Sequence, residues 1–244
     1  MRTDILGVGF DDLTLDEAAA AGAALVEDGG FHYAVTPNPE FLLAARHDEP
    51  FRQALLGADL VLADGVGVTY AAKILGRPLK GRVPGIEFAQ RLLAWMAAHG
   101  KRLFLLGAKP GVAELAAANL KAAYPGLIVC GTHDGYFQED GPVVKAIQES
   151  AADVVFVCLG APKQELWMVR NGPAAGARLM VGLGGSLDVF AGVVERAPEG
   201  FQKLGLEWLY RLMKEPRRIG RMARLPLVLF QAAGARLTGG RARA

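Results

Sequence analysis

Residues 153–160 read DVVFVCLG, a run of apolar and β-branched residues that is closed by a glycine. Near-continuous hydrophobicity over this length is typical of a strand that is covered on both faces, as the strands of parallel sheets are. The polar turn GAPKQE, at residues 160–165, follows directly. This stretch therefore predicts a buried parallel strand with a polar turn at its carboxyl end.

The same pattern recurs along the 244-residue chain, which is 52% hydrophobic and contains 31 glycines. Stretches with helical spacing separate the apolar runs, and most of them end near Gly or Pro. This alternation predicts the α/β fold class, a doubly wound and largely parallel sheet with helices on both faces. The other predicted strands are 32–36, 59–63, 102–107, 127–131 and 178–184.

Charge is distributed unevenly along the chain. From residue 201 onward there are ten Lys and Arg against two Glu, a net charge of +8, so the preceding 200 residues carry −6 of the total of +2. A strongly basic tail on a mildly acidic body is typical of a tail that meets phosphate groups of lipid or nucleic acid. We therefore divide the chain into an α/β domain, residues 1–200, and a basic helical appendage, residues 201–244.

The appendage mixes basic and apolar residues. Residues 201–216 predict an amphipathic helix with Leu204, Trp208, Leu209 and Leu212 on one face, and the uncharged stretch 225–235 is too short to span a bilayer. One interpretation is an ordinary helix docked on the body, and the other is an interfacial helix with its arginines at headgroup level. The Leu, Val and Phe residues within the basic segment argue against nucleic-acid binding by the appendage.

The start of the chain and its cysteines indicate the compartment. Residues 1–14 carry acidic residues where a secretory signal would be apolar, so we expect a cytoplasmic protein. Cys130 and Cys158 lie inside apolar runs and are expected to be small core residues without a disulfide bond.

Ligands of open parallel sheets bind beyond the carboxyl ends of the strands. In this chain every one of those ends is followed by glycine or small polar residues, which together predict a nucleotide-sized cleft. The candidate side chains and turns there are Thr36, Asn38, Asp64, Gly107, Lys109, Tyr136, Gln164, Gly184, Gly185 and Asp188.

Several familiar chemistries do not fit these turns. The sequence DGVG, residues 64–67, would need another glycine at Tyr70 to form a dinucleotide fingerprint, and no P-loop pattern occurs. An NAD(P)-type oxidoreductase stays only as a disfavoured alternative. The chain has neither zinc-ligand spacing nor an Asp-x-Asp pair, so we expect no metal ion and no cofactor.

A single carboxylate beside a nucleotide cleft suits glycosyl transfer from a sugar nucleotide. Asp64 would accept the proton of the attacking hydroxyl, while Arg82, Lys109 and backbone N–H groups would stabilise the departing diphosphate. The alternative for Asp64 is a helix N-cap or a turn residue. Each of the other candidates has an alternative of its own: Thr36 and Asn38 precede prolines and would only shape a turn. Gln164 would cap a helix, Asp188 would hydrogen-bond a loop and Tyr136 would be core.

Five motifs make the chain similar to a known family: TPNPEFLLAAR (36–46), LADGVGVTYAAKILG (62–76), RVPGIEF (82–88), CLGAPKQELWM (158–168) and the long run 181–218. Over about residues 5–226 the chain resembles the bacterial WecG/TagA/CpsF glycosyltransferases. The resemblance implies a Rossmann-like domain with a membrane-associating appendage. It further implies transfer of N-acetylmannosamine, or its uronic acid, from UDP to a polyprenyl-diphosphate-linked N-acetylglucosamine for teichoic acid, common antigen or capsule.

The resemblance also assigns roles to residues of this sequence. Asp64 becomes the catalytic base, Thr36 and Asn38 line the reaction centre, and Arg82 meets a diphosphate. The implied donor contacts are Gly107, Lys109, Gln164, Gly184, Gly185 and Asp188, with Tyr136 stacking near the uridine. The appendage arginines Arg217, Arg218, Arg221 and Arg224 would face lipid headgroups or the acceptor diphosphate.

Together these observations predict an inverting, metal-independent glycosyltransferase that acts peripherally at the inner face of the cell membrane. Single displacement needs only one protein carboxylate at the reaction centre, which agrees with the candidate residues. The alternative outside catalysis is a membrane-recruited protein that binds a nucleotide sugar without turnover. The sequence carries no signature of oligomeric state, so a monomer and a homo-oligomer stay open, as do an anchoring and a lid role for the appendage.

Overall fold

A computed structural model describes residues 2–203, 206–214 and 225–238. Within these ranges, eight strands form two sheets, and the larger sheet has six strands that are all parallel. The strands are β1 (Arg2–Ile5), β2 (Val8–Asp11), β3 (His32–Val35), β4 (Leu60–Val61), β5 (Arg102–Gly107), β6 (Ile128–His133), β7 (Val154–Cys158) and β8 (Leu179–Gly182). The order across the large sheet is β4-β3-β8-β7-β5-β6, which confirms the predicted α/β class.

Helices cover both faces of this sheet. Those on one face are α1 (Leu15–Glu27), α5 (Gly85–Ala98), α6 (Val112–Ala123) and α9 (Ser186–Phe190); those on the other are α2 (Pro39–Ala44), α3 (Glu49–Leu56), α4 (Val66–Ile74), α7 (Asp140–Ser150), α8 (Lys163–Ala175) and α12 (Leu225–Leu237). Two short helices, α10 (Glu199–Lys203) and α11 (Glu207–Lys214), precede α12.

The central strand β7 shows why its sequence is apolar throughout. Val155 and Val157 belong to the core beneath one helical layer, and Val154 and Phe156 belong to the core beneath the other. Because successive side chains of a strand point to opposite faces, a strand covered on both faces needs apolar residues at every position. The buried strand was predictable for this reason.

Strand ends differ modestly from the prediction. β5 has the predicted bounds, whereas β4 pairs only at residues 60–61 of the predicted 59–63, and β6 begins and ends later than 127–131. The short β4 lies at the edge of the sheet, where it has one parallel neighbour, β3. The N–H of Val61 instead donates to the Asp11 carboxylate at 2.8 Å.

Asp11 belongs to an antiparallel hairpin, β1–β2, that the sequence analysis missed. Its turn places Leu6 and Gly7 at positive φ values of 55° and 88°. A leucine is an uncommon residue at such an angle, so the usual Asn-Gly or Asp-Gly hairpin signal was absent. The hairpin packs its apolar residues into the core beside the edge strand β4.

The appendage differs from the single helix predicted for residues 201–216. In place of that helix, the described residues form two short helices, α10 and α11, and residue 206 between them is not helical. Leu204 and the four arginines expected to meet phosphate, Arg217, Arg218, Arg221 and Arg224, lie outside the described residues.

Helix α12 packs against α4 and α2, and it buries Val228 and Ala232 in their core. Its Leu227 and Phe230 are exposed. The docked helix, one of the two interpretations of the sequence, is therefore present in α12. None of the helices in the described ranges is long and apolar enough to cross a bilayer.

Candidate active site

The turns after β3 and β4 meet at one end of the carboxyl edge of the sheet. The N–H of Asp64 donates to the carbonyl oxygen of Pro37 at 3.1 Å, and a Cβ built on Gly65 would lie 3.4 Å from Pro39. Gly65 has a φ of 97°, an angle that favours glycine. The tight DGVG turn thus places Asp64 against the loop that carries Asn38.

Gly85 also contacts Asp64, and we call the group formed by Asp64, Gly85, Thr36 and Asn38 the reaction centre. Its backbone N–H donates to the carboxylate Oδ2 of Asp64 at 3.4 Å, and it lies at the first residue of α5. A Cβ on Gly85 would approach the Thr36 side chain to about 3.0 Å, so the glycine lets the two loops close on each other. Asp64 is half-buried and precedes Gly65, the N-cap of α4, so it is not the capping residue of that helix.

Asn38 does act as a cap. Its Oδ1 accepts hydrogen bonds from the backbone N–H groups of Glu40 and Phe41, at 2.8 and 3.3 Å. These bonds satisfy two of the donors at the start of α2 and hold the loop that carries Thr36. The structural alternative considered for Asn38 is therefore present, and its amide nitrogen is the part of the side chain that the cap does not use.

Thr36 links this centre to β8. Its hydroxyl, which is buried, donates to the carbonyl oxygen of Gly182 at 3.0 Å. Gly182 in turn lies against the side chain of Gln164, because a Cβ there would be 3.0 Å from the amide nitrogen Nε2. Gln164 accepts from the N–H of Gly184 through Oε1, at 3.0 Å, so its side chain fixes the turn after β8 and caps no helix.

Beneath Gln164 lies a residue that the sequence analysis did not single out. Glu165 is fully buried; its Oε1 accepts a hydrogen bond from Nε2 of Gln164 at 2.7 Å, while its Oε2 has no hydrogen-bond partner. Burial raises the pKa of Glu165 to about 7, and the bond from Gln164 offsets only part of that effect. A buried carboxyl group therefore holds the amide of Gln164 in one orientation.

Arg82 lies next to this centre and contacts the appendage. One of its guanidinium nitrogens donates to Oε2 of Glu207 at 2.8 Å, and another donates to the carbonyl oxygen of Gln202 at 3.4 Å. Arg196 donates to the other oxygen of the same carboxylate at 3.2 Å and to Glu87 at 2.5 Å. The expected diphosphate ligand Arg82 is thus paired with a carboxylate of α11.

This cluster has a clear electrostatic consequence. Burial acts to raise the pKa of Glu207, but the hydrogen bond and charge of Arg82, together with Arg196, outweigh it and hold that pKa below its usual value. Glu207 is consequently ionised at neutral pH. Its carboxylate bridges two guanidinium groups.

At the other end of the edge, the turns after β5 and β6 are more open. Gly107 has a φ of 130°, and a Cβ there would collide with the carbonyl oxygen of Cys158. Lys109 is exposed, and so is Tyr136, which the structure places outside the core with 69% of its surface accessible. The core alternative for Tyr136 is therefore wrong.

Asp188 and Gly185 lie where β8 leads into α9. The backbone oxygen of Asp188 accepts from the N–H groups of Val193 and Val194 at 2.9 and 3.0 Å, which turns the chain towards Arg196. A Cβ on Gly185 would lie 3.8 Å from the Asp188 carboxylate, so the two are neighbours. Both residues share the rim with Gly184.

The two cysteines are Cys130, which is partly buried, and Cys158, which is buried. Cys130 and Cys158 are both free thiols, as expected, and burial raises the pKa of the Cys158 thiol to about 12. Across the described ranges, no group of three or more His, Cys, Asp or Glu side chains is arranged to hold a metal ion.

Comparison with known proteins agrees with the geometry. Residues 3–242 match the family described as "Glycosyl transferase WecG/TagA/CpsF family". Proteins of Staphylococcus aureus strains MRSA252, MW2 and NCTC 8325, each named N-acetylglucosaminyldiphosphoundecaprenol N-acetyl-beta-D-mannosaminyltransferase, are 37% identical over 238 residues, which are 96% of this chain and 93% of theirs. The chain belongs to the WecG/TagA/CpsF family of glycosyltransferases.

Proposed function

We propose that this chain transfers N-acetylmannosamine from UDP to N-acetylglucosaminyl-diphosphoundecaprenol, with Asp64 as the general base. The observation that carries the proposal is the placement of the Asp64 carboxylate at the N–H of Gly85, the glycine that packs against the Thr36 side chain. The relatives, at 37% identity over nearly the whole chain, are named for this reaction. Family membership in a glycosyltransferase family disfavours the oxidoreductase and the non-catalytic alternatives.

The transfer would proceed by single displacement. Asp64 takes the proton of the acceptor hydroxyl as its oxygen attacks the anomeric carbon from the face opposite UDP. An α-linked donor then gives a β-linked product, which is the linkage in the names of the relatives. Gln164 and Thr36, held by Gly184 and Gly182, would position the donor sugar in the orientation that this attack requires.

Negative charge on the departing UDP would be stabilised by groups of this chain. Arg82, Lys109 and the backbone N–H groups of the glycine turns are the candidates, and no metal ion would be needed. Tyr136 and the turns at Gly107, Gly184 and Gly185 would hold the nucleotide, with Asp188 beside them.

The acceptor would bring the chain to the membrane surface. Leu227 and Phe230 present an exposed apolar face on α12, close in sequence to Arg217, Arg218, Arg221 and Arg224. Apolar groups beside arginines suit the boundary between headgroups and acyl chains, and each basic residue near anionic lipid contributes about 1 kcal/mol. We therefore assign residues 1–200 to catalysis and 201–244 to peripheral attachment at the inner face of the membrane.

The test is release of UDP from UDP-N-acetylmannosamine in the presence of a short-chain diphosphate-linked N-acetylglucosamine, with and without EDTA. Release that requires the acceptor and is unaffected by EDTA supports both the transfer and its metal independence. Release that EDTA abolishes contradicts metal independence. Failure of this donor, with release from the corresponding uronic acid donor, would contradict the proposed sugar.

A further inference from the structure

We propose that Arg82 and Arg196 form one binding site for a diphosphate group, and that the Glu207 carboxylate occupies this site in the substrate-free chain. The inference rests on the proposed function, because it concerns how the same active site receives a diphosphate. It adds Arg196 to the site and gives Glu207 the role of an internal competitor.

The geometry of the cluster is that of an occupied anion site. Arg82 donates to one oxygen of the Glu207 carboxylate at 2.8 Å, and Arg196 donates to the other at 3.2 Å. Guanidinium groups favour carboxylate and phosphate oxygens for the same reason, a planar set of donors that matches two acceptor oxygens. An anion with more oxygens and more charge can therefore replace the carboxylate without rearrangement of the arginines.

Each arginine makes a second hydrogen bond besides the one to Glu207. Arg196 also donates to Glu87, which lies in the first turn of α5, and Arg82 donates to the backbone oxygen of Gln202. Their side chains are only 18–20% exposed, so neither is a freely moving surface group. If Glu207 withdrew, a preorganised pair of cations would remain.

The pair lies beside the reaction centre. Arg82 immediately precedes Val83, whose N–H donates to the carbonyl oxygen of Ala63, next to Asp64. Glu87 lies two residues after Gly85, which contacts the Asp64 carboxylate. A diphosphate held by the two arginines would thus lie close to the proposed base. The Glu207 carboxylate of α11 must leave the arginines before the diphosphate binds.

A second ion pair joins the same two segments and provides a control. Glu195 lies 3.7 Å from Lys214 at the far end of α11, and both side chains are mostly exposed. An exposed pair of this kind contributes little and involves neither Arg82 nor Arg196. Glu195→Gln therefore removes a carboxylate from the interface with α11 but leaves the Glu207 carboxylate bound to Arg82 and Arg196.

The test measures binding of inorganic pyrophosphate to the full-length chain by calorimetry. Glu207→Gln is expected to tighten binding about tenfold, because the competing carboxylate is gone. Arg196→Gln is expected to weaken it about tenfold, since one charge-assisted contact is lost. Glu195→Gln should stay within twofold of the parental protein. Equal affinity in the parental protein and Glu207→Gln, or equal tightening by Glu195→Gln, would overturn the proposal.

A second variant and a competitor complete the experiment. If Glu207→Gln unfolds, Glu207→Asp, whose side chain is too short to bridge both arginines, should tighten binding by a smaller factor; parental affinity would overturn the proposal. Saturating UDP distinguishes the source of the diphosphate. Pyrophosphate that still binds supports the acceptor diphosphate, and pyrophosphate that UDP displaces supports the donor. These measurements need no turnover, so they stand apart from the transfer assay.

Discussion

The two ends of the sheet's carboxyl edge are built differently. At the end formed by β4, β3 and β8, the Thr36 hydroxyl and the Gln164 amide are buried, and each hydrogen-bonds to a neighbouring turn. At the end formed by β5 and β6, the candidate side chains Lys109 and Tyr136 are exposed. Chemistry requires groups fixed to within a fraction of an ångström, whereas recognition of a nucleotide tolerates side chains that close on arrival. This difference supports our proposal that the reaction takes place at the first end and that the uridine is received at the second.

The largest effect is expected from Gly107→Ala, at the open end. Its positive φ and the collision of a Cβ with the Cys158 carbonyl predict a loss of more than about 4 kcal/mol in the free energy of unfolding, or no folded protein. The matched control is Gly111→Ala, also at positive φ but without atoms within 4 Å of a Cβ. Chemical denaturation of both checks this, and equal stability losses would show that the close backbone approach does not matter.

At the buried end, Thr36→Val should lower kcat on the order of 10²-fold. The change removes the hydroxyl that donates to the Gly182 carbonyl, so the loop that holds the reaction centre loses its tie to β8. Thr36→Ser keeps the hydroxyl and should retain most of the activity. Steady-state kinetics of both variants decide the matter; a Val variant with parental kcat would mean that this hydrogen bond does not position the centre.

Glu165→Gln should change how stability depends on pH. A carboxyl group whose pKa is raised on folding, here from 4.5 to about 7, contributes stability below pH 4.5 that is lost as the pH rises through 7. The Gln variant cannot ionise at this position and does not lose this stability. The free energy of unfolding of the variant minus that of the parental protein should therefore be larger at pH 8 than at pH 4 by on the order of 3 kcal/mol. Urea unfolding of both proteins across this range measures it, and parallel pH profiles would contradict a buried neutral Glu165.

The smallest effect is expected at Tyr136, on the open side. Stacking of a base on an aromatic ring contributes about 1–3 kcal/mol, and an exposed ring should supply the lower value. Tyr136→Ala should therefore raise KM for the UDP sugar about fivefold and leave kcat unchanged, while Tyr136→Phe should behave as the parental enzyme. A drop in kcat without a change in KM would place Tyr136 at the reaction centre and break the division between the two ends.

The sequence was informative wherever one pattern had one physical meaning. Continuous apolar runs such as 153–160 occur in strands covered on both faces, so the parallel sheet and the position of Asp64 at its edge were predictable. The tight turn at Gly65 was likewise signalled by the DGVG sequence.

Other features depend on contacts between distant segments and have no local signal. The β1–β2 hairpin turns at Leu6 and Gly7, and this dipeptide is not a sequence that predicts a hairpin turn. Glu207 entered the sequence analysis only as one of the two glutamates after residue 200, and its pairing with Arg82 and Arg196 joins positions 125 and 11 residues apart. Glu165 is part of the GAPKQE motif, but its burial was not predicted, because the sequence around a carboxyl group does not show whether that group is buried.

The proposed function depends most on the removal of the acceptor hydroxyl proton by Asp64. Its most direct test is Asp64→Asn, compared with the parental protein in acceptor-dependent UDP release and in calorimetric binding of UDP. Turnover is expected to fall by roughly 10²–10⁴-fold, while UDP binds with parental affinity. Turnover at the parental rate in the Asn variant would contradict it.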